Sequence, residues 1–217
     1  VCSKFYLNVF TDKGTYVTIS APGLNYSSKH YCGPDKLNII ELPRSYNWIR
    51  EGNDIIHPGG ILLEADRNIE VVAFHRRLFF SESAYVLPED QLGRNYTVLS
   101  MKDVFTIDRS GSSFIVLGVK DNTKIDIIPS HDLVSGQKQG LSYRVKLNKG
   151  EVYQVRSTHH DLSGTIVRAL DGDKVAVFSG SKSARILTSD CSFSTDPKVN
   201  DNHLYEQLLP DIQYGKE

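Results

Sequence analysis

Ser179-Gly180-Ser181-Lys182 is the first group that could do chemistry, because it satisfies the S-x-x-K pattern in which a lysine activates a serine for acyl transfer. The sequence has neither of the S-D-N and K-T-G elements that accompany that pattern in β-lactamases. The tetrapeptide also lies at the end of a predicted strand. We therefore expect no enzyme, and a hydrolase centred on Ser179 and Lys182 is the least favoured function.

His159-His160-Asp161 could in principle supply two imidazoles and a carboxylate to a metal ion or to a catalytic triad. Adjacent residues of an extended chain point to opposite faces, so the two histidines cannot easily share a ligand. The following Leu-Ser-Gly favours a solvated loop instead. We expect Asp161 to brace that turn through its side chain.

Asp121, Asp171 and Asp173 could be imagined as calcium ligands, since hard cations bind clustered carboxylates. Two of them belong to Asp-Asn and Asp-Gly pairs, which supply the positive φ angles of tight hairpin turns. The three cysteines form no C-x-x-C pair and have no histidine at zinc-ligand spacing. We expect turn residues here, and neither a metal ion nor a cofactor.

Composition excludes several classes of partner. The 217 residues carry 25 Lys and Arg against 26 Asp and Glu, so no net field draws the chain to nucleic acid or to an anionic membrane. The longest apolar run is far too short to cross a bilayer, which argues against membrane insertion. Two glycosylation sequons, at Asn25 and Asn95, favour a secreted or cell-surface glycoprotein.

Three blocks of the first half recur in the second half in the same order. LPEDQLGR at 87–94 returns as LPDIQYGK at 209–216. The stretch 60–74, with GILLEA, a turn and VVAF, matches 164–178, with GTIVRA, a turn and VAVF. Tyr6 to Ile19 likewise matches Phe114 to Ile127. The sequence therefore indicates a duplication, with one repeat at 1–108 and the other at 109–217.

The spacing between equivalent blocks changes along the chain, from 108 to 104 and then to 122 residues. The difference of 18 (122 − 104) predicts an insertion between Phe178 and Leu209, whose polar composition is typical of a loop. The block at 87–94 runs on into NYTVL, whereas its copy lies at the chain end. We expect further residues beyond Glu217, and flanking domains of a longer protein.

Alternation of apolar and polar residues dominates the sequence, as in Tyr143-Arg144-Val145-Lys146-Leu147, and helical periodicity is almost absent. Turn residues arrive every eight to twelve positions, which favours two tandem antiparallel β-sandwich, Ig-like repeats. A β-propeller is the alternative. The strands expected in the first repeat lie near residues 4–10, 15–20, 37–42, 60–65, 69–74, 84–87 and 96–100.

Five separated blocks carry a resemblance to a known family. They are FSG at 178–180, Cys191, NHLYEQLLP at 202–210 with the later Gly215, the stretch 114–129, and the pair GEVYQ at 150–154 and DLSGT at 161–165. Together they resemble the N-terminal domain family of the IgGFc-binding protein. The resemblance is best from Phe114 to Lys216. It implies a binding or adhesion module of large secreted, mucus or surface proteins, with no catalytic centre.

One position departs from that family, which often has a second cysteine where this chain has Ser183. Cys191 is therefore expected to be unpaired or intermolecular. Cys2 and Cys32 are then the expected disulfide, which would contribute about 3 kcal/mol in the chain-entropy description.

We expect the chain to bind a protein ligand, such as an Fc-like one, or a glycan, through loops held on a rigid β scaffold. A purely structural spacer is the alternative. The loops considered are 26–36, 46–59 and 188–203. Their candidate contact residues are Tyr46, Trp48, Phe193 and His203, because aromatic side chains bury large areas with few rotatable bonds.

Overall fold

The computed structural model of the chain describes residues 4–43, 55–77, 80–102, 112–157, 159–184 and 202–213. Within these ranges the protein consists of antiparallel β-strands joined by turns and three single-turn 3₁₀ helices. No helix of the described part is long and apolar enough to cross a bilayer. The all-β sandwich class predicted from the sequence is confirmed, and no propeller is formed by these residues.

The first sandwich has two sheets, with strand orders β4-β1-β7-β8 and β3-β2-β6. Every ladder in it is antiparallel. A 3₁₀ turn at Pro22–Leu24 connects β2 to β3. The strands are β1 (Lys4–Phe10), β2 (Thr15–Ala21), β3 (Tyr26–Cys32), β4 (Asn38–Glu41), β6 (Leu62–Ala65), β7 (Glu70–Arg77) and β8 (Phe80–Val86), with the two-residue strand β5 (Ile56–His57) preceding β6.

The second sandwich repeats this arrangement, with orders β16-β15-β10-β13-β5 and β12-β11-β14-β9. Short 3₁₀ turns at Glu89–Gln91 and Asp211–Gln213 follow β8 and the last strand. The strands are β9 (Asn95–Thr97), β10 (Ser113–Gly118), β11 (Thr123–Ile128), β12 (Tyr143–Leu147), β13 (Val152–Arg156), β14 (Ile166–Ala169), β15 (Val175–Ala184) and β16 (Asn202–Gln207).

Seven strands of the first sandwich correspond one to one with seven of the second, and β5 and β9 are additional. Strand orders β4-β1-β7-β8 and β3-β2-β6 become β13-β10-β15-β16 and β12-β11-β14. The sequence offsets agree with this correspondence, since 62–65 plus 104 gives 166–169, the bounds of β14. The same holds for the 3₁₀ turns after Pro88 and Pro210. The duplication read from the sequence is therefore present in the fold.

Each pair of sheets encloses its own hydrophobic core, because inward positions recur at every second residue. On β2 the inward residues Val17 and Ile19 are fully buried, and on β11 the equivalent Ile125 and Ile127 are as well. Both sheets of a sandwich contribute to each cluster. Apolar burial at about 25 cal/mol per Å² is the main stabilising contribution to such cores.

Two short strands cross between the repeats. Ile56–His57 pairs with β13, and Asn95–Thr97 pairs with β14, although both precede residue 108. Tyr96 is fully buried in the second core, where its hydroxyl donates to the Val175 carbonyl at 2.7 Å and accepts from the Gly93 N–H at 2.9 Å. The division at 108 stays a prediction, and these strands link the two sandwiches across it.

The two sandwiches also meet at β8 and β16, which lie in contact. The Leu87 N–H donates to Gln207 Oε1 at 2.9 Å, and Gln213 Nε2 donates to the Gln91 carbonyl at 2.8 Å. Tyr205 of β16 packs against the core of the first sandwich. The repeated Leu-Pro segments thus lie against each other at the junction.

Two turn predictions are confirmed by the backbone. Asp171 and Gly172 adopt φ angles of 56° and 83°, and Asn122 adopts 63°, in the left-handed region that hairpin turns of this kind require. Asp161 braces its turn as expected, because its Oδ1 accepts from the Ser163 N–H at 2.8 Å and from the Ser163 hydroxyl at 2.7 Å.

The loop predicted at 26–36 is wrong over most of its length, since Tyr26–Cys32 is a strand paired along β2. Its inward side chains are Tyr26, Ser28, His30 and Cys32, and three of these are polar enough to hide the alternation in the sequence. A hydroxyl–imidazole contact of 3.0 Å between Ser28 and His30 satisfies two of them internally.

Candidate functional site

The outer surface of β3-β2-β6 is the candidate site, and we call it the aromatic face: Tyr16, Thr18, Lys29, Tyr31 and Glu64. Register pairs Tyr16 with Tyr31 and Thr18 with both Lys29 and Glu64, so all five side chains project from the same side of the sheet. The alternate residues on the same strands fill the core. Local strand geometry alone therefore brings these side chains together.

The two tyrosines of this face are exposed, at 51% for Tyr16 and 61% for Tyr31. Their ring centroids lie 5.3 Å apart at an interplanar angle of 63°, an edge-to-face arrangement. Lys29 Nζ lies 4.9 Å from the Tyr16 ring centroid, and such a cation–π contact contributes about 0.5–1 kcal/mol at an exposed site. The rings are thus held in place before any ligand arrives.

Glycine at position 14 makes room for one of these rings. A Cβ placed on Gly14 would lie 2.2 Å from the Tyr31 hydroxyl oxygen. The tyrosine therefore lies across the β1–β2 turn, and any larger residue there would displace the end of its side chain.

A cavity of about 180 Å³ lies beside Tyr16. It is lined by Tyr16, Thr18, Lys29, Glu64, Ala65 and Asp66, so both carboxylates and an ammonium group border it. Glu64 Oε1 is 3.9 Å from Lys149 Nζ of the second sandwich, a weak contact between two exposed groups. The site combines an aromatic centre with charges of both signs at its margin.

The equivalent surface of the second sandwich is charged instead of aromatic. By register and offset, Lys124 and Lys146 take the places of Tyr16 and Tyr31. Arg144 forms a two-pronged ion pair with Asp126, at 2.6 and 2.9 Å, and this hydrogen bonding lowers the pKa of the Asp126 carboxyl. Lys124 Nζ binds Asp171 Oδ2 at 3.0 Å. Its charges are largely satisfied within the protein.

His203 lies on strand β16 and not in the loop where the sequence placed it. Its ring meets that of His75 edge to face, with centroids 5.8 Å apart. Burial, with His75 as a second cause, lowers the pKa of His203 to about 4. This residue belongs to the junction between the sandwiches, so its role as a ligand contact stays a prediction.

The other predicted contact residues, Tyr46, Trp48 and Phe193, lie outside the described residues, as do Cys2 and Cys191. Cys32 is fully buried, and burial raises the pKa of its thiol. The pairing of Cys2 with Cys32 stays a prediction. Asn25 and Asn95 have exposed side chains, which a glycan would require.

The groups considered for catalysis are poorly placed for it. Ser179 is 4% exposed on β15, between two neighbouring strands, and its hydroxyl faces the Ser113 carbonyl at 3.5 Å. His160 has its ring 4.7 Å from that of His131, and its carbonyl accepts from the Ser157 hydroxyl. A buried serine of this kind cannot be reached by a polymeric substrate.

Each carboxylate considered for calcium has a partner within the protein. Asp171 and Asp173 bind Lys124 and Lys120, and Asp121 accepts from the Lys149 N–H at 2.9 Å. Among the described residues no cluster of His, Cys, Asp and Glu has the geometry to hold a metal ion. These residues serve the hairpins.

The sequence reasoning missed Tyr16 and Tyr31, because it assigned most aromatics to the cores. A signal existed in the run TYVTIS at 15–20, in which Tyr16 falls opposite to Val17 and Ile19. The second tyrosine could not be found that way, since β3 itself was not predicted.

Comparison with known proteins gives one result. No curated protein and no solved structure matches the chain significantly. The sequence pattern of the family described as IgGFc binding protein matches residues 82–217, which is more than half of the chain and agrees with the resemblance seen in the sequence. That family is one of non-enzymatic binding domains, typically extracellular. The chain belongs to the IgGFc binding protein family.

Proposed function

We propose that this protein is an extracellular recognition module that binds a protein ligand through the aromatic face of its first sandwich. The observation that carries the proposal is the pair of exposed, mutually packed tyrosines, Tyr16 and Tyr31, on a sheet face. Exposing large aromatic rings to water is unfavourable in free energy, and a purely structural spacer would gain nothing from it. A ligand that covers the rings removes them from water and regains that free energy.

The composition of the face fits a protein partner better than a glycan. Protein interfaces place tyrosines at a buried centre and polar groups at the rim. Here Lys29, Glu64 and Asp66 line the same cavity as Tyr16 and offer charges of both signs, which suits a mixed protein surface. The tyrosines sit on paired strands, so little conformational entropy is lost when they bind.

The aromatic face, within residues 16–64, lies outside the range that matches the family pattern. The family description makes the immunoglobulin Fc fragment the first ligand to test, but a shared fold does not locate a contact surface. Roles in adhesion and in mucus belong to the same proposal. The loops at 46–59 and 188–203, with Trp48, Tyr46 and Phe193, are proposed as a second contact region.

The test is binding of the immobilised chain to Fc fragment, mucin glycans and surface extract across a range of salt concentrations. With the captured protein ligand, the double substitution Tyr16→Ala/Tyr31→Ala is expected to weaken binding by about tenfold or more, as hot-spot tyrosines do. A contact centred on rings should persist in moderate salt, because only exposed charges are screened.

The matched control is Lys124→Ala/Lys146→Ala, which alters the equivalent positions of the second sandwich. It should leave ligand affinity unchanged. Equal loss from both double variants would reject the aromatic face as the contact, and capture of mucin glycans alone would replace the protein ligand by a sugar. A correctly folded chain that captures nothing would favour the spacer role.

A further inference from the structure

Strands β6 and β14 hold equivalent places but have different neighbours. In the second sandwich, the outer edge of β14 is paired with β9. In the first, the sheet ends at β6, and no strand of the described ranges pairs with its outer edge. One sandwich therefore has a four-stranded sheet where the other has three strands.

The pairing of β14 with β9 shows which backbone groups of β6 would bind a further strand. The Val98 N–H donates to the Thr165 carbonyl at 2.8 Å, and the Ala169 N–H donates to the Arg94 carbonyl at 2.7 Å. Alternate residues of a strand face the same neighbour, so 165, 167 and 169 are those that bind β9. Subtracting the offset of 104 assigns the outer edge of the first sheet to Ile61, Leu63 and Ala65.

Burial shows what the missing strand would cover. Val167 is fully buried and Ala169 is 7% exposed, whereas the equivalent Leu63 and Ala65 remain only partly buried against their core. The difference has a clear source, since Tyr96 of β9 is opposite Val167 and seals that side of the second core. Among the described residues, no strand places an equivalent tyrosine against the first core.

The edge is also accessible. The turn at 148–150 contacts the segment just before β6, where the Gly60 N–H donates to the Gly150 carbonyl at 2.8 Å, and its Lys149 Nζ is 3.9 Å from Glu64 Oε1. Strand β6 reads Leu-Leu-Glu-Ala, in which Glu64 is the one charged residue and no proline blocks the edge. An edge with little protection and apolar side chains beneath it accepts an added strand.

We infer that the outer edge of β6 is a docking site for one antiparallel strand, and that its occupant is a β9-type strand from another repeat unit of this family. Such a strand has the pattern of residues 94–98, with a large aromatic residue opposite Leu63 and a β-branched residue two positions later. Repeats would then be joined end to end by strand exchange, as β9 joins the two units here. This inference does not depend on the ligand of the aromatic face.

Hydrogen exchange on the full chain tests the site, with an excess of the synthetic peptide LGRNYTVLS, the sequence of residues 92–100. Without peptide, the amides of Leu63 and Ala65 should exchange faster than those of Val167 and Ala169. With peptide, exchange at Leu63 and Ala65 should slow by about tenfold, because paired edge amides open less often. The amides of β14 should not change.

Two controls separate strand pairing from nonspecific binding. The peptide carrying Tyr96→Pro lacks the inward N–H and should have no effect. In the protein, Ala65→Pro removes an outward donor without touching the ladder to β2, so the fold should persist and the peptide should no longer protect Leu63. Exchange at Leu63 that is slow before peptide is added, or that stays unchanged in excess peptide, would overturn the inference.

Discussion

The two sandwiches share one strand order but have opposite outer faces. Positions occupied by Tyr16 and Tyr31 in the first are occupied by Lys124 and Lys146 in the second. Outward positions of a sheet contribute little to the core, so duplication leaves them free to diverge while the inward Val and Ile positions are retained. One scaffold therefore presents an exposed aromatic face in one repeat and a charged face in the other.

The sandwiches differ also in how each core is closed. Tyr96 completes the second core from a strand that belongs, by sequence, to the end of the first repeat. The first core has no equivalent strand among the described residues. The second sandwich therefore depends on a strand that precedes residue 108 to complete its core.

The largest expected effect breaks this dependence. Tyr96→Ala should lower the free energy of unfolding by about 3–5 kcal/mol, because it removes a fully buried aromatic side chain and leaves a cavity. Chemical denaturation followed by intrinsic fluorescence measures the loss. Tyr31→Ala, an exposed tyrosine on the other sandwich, is the control and should cost well under 1 kcal/mol on the same scale. Equal losses would mean that β9 does not seal the second core.

The next prediction concerns the junction, where burial lowers the pKa of His203 from 6.5 to about 4. The folded protein therefore binds a proton at the His203 ring less readily than the unfolded chain does. Stability should fall as the pH drops from about 6.5 towards 4, and a pKa shift of this size corresponds to about 3 kcal/mol.

Two nearby carboxyls act in the opposite direction. Burial raises the pKa values of Glu82 and Glu206, so their contribution to stability is full below the usual glutamate value and is lost as the pH rises. The measurement is therefore the difference in unfolding free energy between the protein and His203→Gln at each pH. That difference should shrink as the pH falls; a constant difference would show that His203 is not protected from protonation.

Exchanging the outward residues of the two faces tests whether the tyrosines themselves bind the ligand. Tyr16→Lys/Tyr31→Lys gives the first sandwich the residues of the second, and should reduce ligand binding by about tenfold, or ~1.4 kcal/mol, while stability changes little. Calorimetric titration and thermal unfolding measure the two quantities. Adding Lys124→Tyr/Lys146→Tyr to this variant restores the total number of tyrosines and should not restore binding, because Arg144 beside them stays paired with Asp126.

The smallest effect is expected from the ion pair on the charged face. Asp126→Asn should cost about 0.5–1 kcal/mol, because the pair is partly solvent-exposed and screened. The cost should disappear in 1 M salt. It should also disappear at low pH, because the stability due to the lowered pKa of Asp126 is fully present above the usual aspartate value and is lost as the pH falls through the lowered one. Thr18→Asn at the equivalent position is the control, and no salt dependence is expected from it.

Strands with alternating apolar residues were predictable, and β1, β2, β4, β6 and β7 lie close to the expected ranges. Strand β3 was not predictable, because its inward residues are mostly Ser, His and Tyr, and only pairing with β2 makes them internal. His203 was misplaced for a related reason. Its strand forms against β15, and the surrounding sequence has the polar composition of a loop.

The all-β class, the duplication, the hairpin turns and the family follow from the sequence alone, because each depends on residue type at short or fixed spacing. Which neighbour each strand has depends on the tertiary structure. That Tyr31 lies beside Tyr16, that Tyr96 closes the second core and that β6 has an open edge are consequences of pairing between distant segments. Such pairing depends on backbone groups that every residue carries, so side-chain identity does not encode it locally.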